Sequence, residues 1–190
     1  LPSQDLAMAL SEKQATRVLS PLVTTALDYI EPDPTSAIDE IVGGLDSDLL
    51  CYWADTPAPL VALQEAHWHP ILEWGQVYLG LDLDTVMGAT HRPQASQMLK
   101  SAATLLTSYS SLSLAGLRAM AGLTGSGLLA LACYHGQVGG EALFQAAFLE
   151  ELYQQKTWGQ DEEAQALLDS RHQDMIEIER FFECLNSPSD

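Results

Sequence analysis

Between residues 91 and 140 the chain carries no acid and only three bases, Arg92, Lys100 and Arg118, whereas residues 141–190 carry twelve acids. A stretch that long with so few charges has to be covered by the rest of the chain. Its richness in Ala, Leu, Gly and Ser makes it a helical core rather than a sheet. The acidic C-terminal part then supplies the outer face. The most apolar run, Leu112 to Tyr134, contains Arg118 and the breaker run Thr124-Gly125-Ser126-Gly127. It reads as two buried helices joined by a turn, not as a membrane span.

Helical spacing continues on both sides of this core. Thr16 to Ile30 is a helical run that stops at Glu31-Pro32-Asp33-Pro34. Ser36 and Asp39 form a capping pattern that opens a helix through about Val42, and Gly43-Gly44 is expected to end it. Asp46 to Trp53 fits a short strand or a short helix equally. Pro57-Ala58-Pro59 opens a longer helix with an apolar stripe of Leu60, Leu63, His67, Ile71, Trp74, Val77 and Tyr78. Pro70 predicts a kink or break near His69. Leu81 and Leu83 alternate with Asp82 and Asp84, which allows a short strand. Further helices are expected at about Gln94–Tyr109, Leu112–Leu123, Ser126–Tyr134 and Glu141–Thr157. The last helix starts near Asp161, with Ala164, Leu168, Met175, Ile178, Phe182 and Leu185 on its apolar side and Arg171 as the one interruption. The fold class is mainly α.

The chain of 190 residues is long enough to bury roughly 70% of its unfolded surface without disulfide or metal support. Its 26 acids against 8 bases give a formal charge of −18. That balance excludes a nucleic-acid binder and attraction to an anionic membrane, and it keeps an apolar-surfaced protein soluble. Cys51, Cys133 and Cys184 lie far apart and suggest a reducing compartment without disulfides. The first residue is Leu, so the start is expected to be processed or truncated, with no signal peptide.

Residue chemistry offers few candidate sites. His67 and His69 point to different faces of a helix and do not converge as metal ligands do. His67 is expected in the core and His69 in solvent. No nucleophile elbow is present, and the Gly122–Gly127 run fits a helix–helix turn better than a phosphate loop. Cys51 reads as a buried core thiol. Asp161, Glu162 and Glu163 complement the dipole of the last helix. Glu150 lies on a mostly apolar face, beside Ala146, Ala147, Tyr153 and Gln154. It is either a partly covered structural acid or a recognition charge in an apolar patch. Trp158-Gly159 marks a helix-to-helix corner, where a Trp is either a packing wedge or a partner anchor.

Two stretches carry a family resemblance. The first runs through Leu45-Asp46-Ser47-Asp48-Leu49-Leu50-Cys51-Tyr52-Trp53-Ala54, Pro59-Leu60-Val61-Ala62-Leu63-Gln64 and His67-Trp68-His69-Pro70-Ile71-Leu72-Glu73-Trp74. The second is Leu149-Glu150-Glu151-Leu152-Tyr153-Gln154 followed by Trp158-Gly159-Gln160-Asp161-Glu162-Glu163-Ala164. Together they resemble the ATP-twelve chaperones, the assembly factors that bind the alpha subunit of the F-type ATP synthase. The likeness spans roughly residues 16–185.

The resemblance implies a small N-terminal β-rich domain, of which residues 1–15 are the remnant or exit, followed by an α-helical chaperone domain over 16–190. It implies a monomer that caps apolar surface on the unassembled alpha subunit and prevents its aggregation. It also implies that no nucleotide or metal is used; together with the charge and residue chemistry, no catalysis, cofactor, nucleic-acid binding or membrane insertion is expected. The family's functional acid falls on Glu150, and the partner-binding set is Glu150, Glu151, Tyr153, Gln154 and Trp158. Lys156 and Thr157 depart from the more acidic or apolar pair usual there, and Thr90-His91-Arg92-Pro93 replaces a more apolar segment. Location would follow the client: bacterial cytoplasm, or mitochondrial matrix after loss of a transit peptide. The competing readings are a helical interaction domain with another client, self-association through the last helix, and a metal-dependent hydrolase built on His67, His69 and the acids.

Overall fold

The computed structural model describes residues 19–159 and 161–187. The expected N-terminal remnant at residues 1–15 lies outside them. Among the described residues the chain forms nine α-helices and two short strands, which makes it mainly α. Helix α1 (Leu19–Thr25) runs into a π-helical turn, Ala26–Ile30. Next come α2 (Thr35–Asp46), a 3-10 turn (Leu49–Cys51), β1 (Tyr52–Trp53), and α3 (Ala58–Trp74) with its own π-helical turn, Gly75–Leu79. After β2 (Val86–Met87) come α4 (Ser96–Leu106), α5 (Ser111–Thr124) and α6 (Gly127–Tyr134). The chain closes with α7 (Gly140–Ala147), α8 (Leu149–Trp158) and α9 (Glu162–Asn186). No helix among the described residues is long and apolar enough to cross a membrane.

The charge-poor stretch is the core, as its composition requires. Every residue of α6 from Gly127 to Cys133 is buried. Helix α5 packs on α6, α2 and α9. The turn between α5 and α6 uses Gly125 in the left-handed region, φ 71°, which a side chain would strain. Gly127 lets α6 approach α2 closely, because a Cβ there would stand 2.8 Å from Leu45 Cγ. That packing explains why α2 does not stop at Gly43-Gly44 and runs on to Asp46. Leu45 has to reach the core, and its burial outweighs the low helix propensity of two glycines. The helix also opens two residues earlier than the Ser36 capping pattern indicates. Its start signal comes from Asp33, whose Oδ1 accepts the Thr35 N–H at 3.0 Å.

Pro70 does not break α3. The N–H it lacks would have bonded the Ala66 carbonyl, and both residues are exposed, so the missing bond falls on the solvent side of the helix, where it costs least. The buried line of α3 is Gln64, Trp68, Ile71 and Trp74, one step round from the expected stripe. Leu63 is 37% exposed, and Val77 and Tyr78 are exposed at 66% and 75%. Residues 81–84 alternate buried leucines with exposed aspartates but form no ladder. The strand lies further on, with Val86 and Met87 pairing in parallel with Tyr52 and Trp53.

The irregular segments are tied by buried polar side chains. Asp48 is fully buried; its Oδ1 accepts the Leu50 N–H at 3.0 Å and its Oδ2 the Leu128 N–H at 2.9 Å. One carboxylate therefore caps the 3-10 turn and the N-terminus of α6 together. Gln94 is buried likewise. It accepts the Asp84 N–H at 2.8 Å and donates to the Asp84 carbonyl at 2.9 Å. Burial pushes the Asp48 carboxyl up to about 6, against the lowering effect of donors from Ser126, Leu128, Leu50 and Gly127.

Since the folded pKa lies above the unfolded one, the stability linked to this group is complete below about pH 4. It declines as pH rises through about 6, by roughly 3 kcal/mol in all. Urea unfolding between pH 5 and 7.5 should show wild type losing stability relative to Asp48→Asn as pH rises. Asp48→Ala, which leaves buried N–H groups of two elements without acceptors, should cost about 2–4 kcal/mol at pH 5.

Candidate functional site

The segment 141–157 is not one helix. It divides at Phe148, whose φ −116° and ψ 27° separate α7 from α8. Two contacts hold the break. The Trp68 indole N–H donates to the Ala146 carbonyl at 2.8 Å, taking the acceptor that a continuous helix would offer to Glu150 N–H. The Phe148 ring is buried, 5.2 Å from the Phe144 ring, with the Arg171 guanidinium 5.4 Å above it. Arg171, the interruption in the apolar line of α9, is thus a packing residue through its cation–π contact. Asp161 caps α9 by accepting the Ala164 N–H at 2.9 Å.

The break sets α8 on the surface with three depressions around it. Leu149, Leu152, Tyr153 and Lys156, at helical spacing, face a groove of about 790 Å³ whose other wall is Pro59, Ala62, Leu63 and His67 of α3. Glu150 and Gln154 face a pocket of about 230 Å³ that also takes in Leu49, Trp68, Ala147 and Glu151. Glu151, Gln154 and Trp158 line a third depression of about 300 Å³ against α9, with Leu167 and Arg171 opposite.

Glu150 is held in place from below. Gln64, fully buried on α3, donates from Nε2 to Glu150 Oε1 at 2.9 Å. Its own Oε1 accepts the Ala54 N–H at 2.9 Å. The amide thus fixes both the strand exit and the carboxylate. Burial, followed by the neighbouring Glu151 charge, raises the Glu150 carboxyl above the ordinary carboxylate range, and the Gln64 donor partly offsets this. An acid in that position gains from any cation or donor that a partner brings.

All five sequence-derived residues lie on α8, but not on one face. Glu150, Glu151 and Gln154 meet at the smallest pocket, Trp158 joins Glu151 and Gln154 at the third, and Tyr153 points into the large groove. Trp158 is 77% exposed and wedges nothing. His67 is on the groove wall rather than in the core, and His69 is exposed. Among the described residues no three His, Cys, Asp or Glu side chains gather as metal ligands do. Cys51 and Cys133 are buried thiols, each pushed up to about 12 by burial. Sequence reasoning missed Gln64. A polar residue four positions before Trp68 and seven before Ile71 was its only signal, because that spacing puts it on the buried line.

A helical body with an apolar groove and an anchored surface acid is suited to binding another protein, and the proteins it resembles place it in the class of chaperones. The Atu1473 protein of Agrobacterium tumefaciens, a proposed chaperone, is 35% identical, with a TM-score of 0.89 over 97% of this chain and 73% of its own. Atp12 from Paracoccus denitrificans is 28% identical, with a TM-score of 0.89 over 97% of this chain and 83% of its own. The family model of the ATP12 chaperone protein matches residues 2–76. The chain belongs to the ATP12 chaperone family.

Two substitutions test the support beneath the site. Trp68→Phe keeps most of the ring but leaves the Ala146 carbonyl without its donor, and should cost about 1–3 kcal/mol in urea unfolding. Gln64→Leu orphans the Ala54 N–H and frees Glu150. It should cost a similar amount and speed hydrogen exchange at Ala54 above the global change.

Proposed function

We propose that this chain binds the unassembled alpha subunit of the F-type ATP synthase and keeps it from aggregating until assembly. The observation that carries the reading is the Glu150 carboxylate, clamped by buried Gln64 on a surface helix whose neighbouring face lines an apolar groove against α3. A holder needs apolar area to cover exposed client surface and a few fixed polar groups to set the register. The net charge of −18 keeps the loaded pair dispersed. Glu150 supplies the directed contact; Glu151 and Gln154 frame it, and Tyr153 and Trp158 add apolar contact area. The chain acts as a monomer by binding and release, without catalysis. With that client it works in the cytoplasm of a bacterium or, once a transit peptide is removed, in the mitochondrial matrix.

Co-purification tests this directly. The tagged chain should capture and solubilise the alpha subunit of the cognate synthase, and not the beta subunit, when each is expressed separately. Glu150→Lys should abolish alpha capture while the melting temperature stays within a few degrees of wild type. Unfolding of that variant would make Glu150 a structural acid instead.

A further inference from the structure

The groove between α3 and α8 has walls of two parallel kinds, both helical ridges. On α8 they are Leu149, Leu152 and Tyr153; on α3 they are Ala62 and Leu63. At about 790 Å³ it lies within the ~300–1,000 Å³ that bound ligands and anchoring side chains fill. Its charge is unlike that of the rest of the molecule. In a chain of 26 acids and 8 bases no carboxylate lines this groove, and its rim carries His67 and Lys156.

Lys156 is exposed and makes no ion pair among the described residues, whereas Arg118 is paired with Glu40 and Arg171 lies over Phe148. The acids of α8, Glu150 and Glu151, face the other two depressions. A segment with an acidic side chain therefore meets carboxylates in both other depressions, offset by Arg171 in the one against α9, and meets none in this groove.

We infer that this groove seats an amphipathic helix of the client, with its apolar stripe on Leu63, Leu149, Leu152 and Tyr153 and an Asp or Glu paired with Lys156. The inference rests on the alpha-subunit reading above and names the element by which that client is held. A helix suits the groove because both walls are helical ridges, into which side chains spaced i, i+3, i+4 and i+7 interdigitate. A strand would need a free sheet edge, and the groove offers none.

The full chain carrying a photo-reactive phenylalanine analogue in place of exposed Ala62 is mixed with isolated alpha subunit and irradiated. An adduct is expected on an alpha peptide with apolar residues at helical spacing and at least one Asp or Glu. Lys156→Glu should weaken alpha capture about tenfold, whereas Lys156→Arg should stay within about threefold of wild type. Both sites are exposed, and unchanged circular dichroism and melting establish that each variant is folded. Alpha captured by wild type without an Ala62 adduct, or captured equally by Lys156→Glu, would overturn the groove assignment and leave the client reading standing. A small-molecule occupant would show as an adduct-free chain with bound material in native mass spectrometry, and overturns it too. Failure of wild type to capture alpha defeats both readings.

Discussion

Asp48 is the constraint on which the arrangement depends. Its buried carboxylate joins two segments far apart in the sequence, the 3-10 turn after α2 and the start of α6. The first turn of α6 is sealed in the core, so its N–H groups have no water to turn to. The cost of burying the carboxylate shows in its raised pKa. That cost is borne because leaving the N–H groups of two elements unpaired would be worse. With α6 fixed, α2 packs against Gly127 on one side, and the loop 47–57 is set in place for α3.

A second pair of buried polar contacts carries this order outward to the site. Gln64 and Trp68 lie one turn apart on the buried line of α3. Gln64 bonds Glu150, and Trp68 bonds the Ala146 carbonyl. Between them they end α7, start α8 and aim its acid. Trp53, edge-on to Trp68 with ring centres 6.0 Å apart, ties the same point back to β1. The site is thus held by groups that are themselves locked in the core, the condition for a surface charge with a fixed direction.

The function proposed for this fold uses little beyond that geometry. Three depressions surround one short helix, and each has its own character: acidic beside Trp68, mixed against α9, apolar with a cationic rim against α3. A chaperone that must hold a client and later release it gains from such divided contacts, because no single depression has to bind tightly.

Much of the helical plan was legible in the sequence. The acid-free stretch marked the core, the Thr124–Gly127 run marked the α5–α6 turn, and Asp161 marked the start of α9. These signals are local: burial excludes charge, and caps and turns use nearby backbone groups. The motif around Glu150 likewise brought all five candidate residues onto one helix. The helix boundaries that sequence reading placed wrongly were decided by distant partners. α2 passes through Gly43-Gly44 because Leu45 packs on α6, and the chain breaks at Phe148 because an indole from α3 takes a carbonyl there. The division of α8 among three depressions, the clamp from Gln64 and the exposure of Trp158 are of the same kind. Periodicity says that a residue lies on a stripe, but which stripe is covered, and by what, depends on contacts between residues far apart in the chain. Those exist only once the helices have packed.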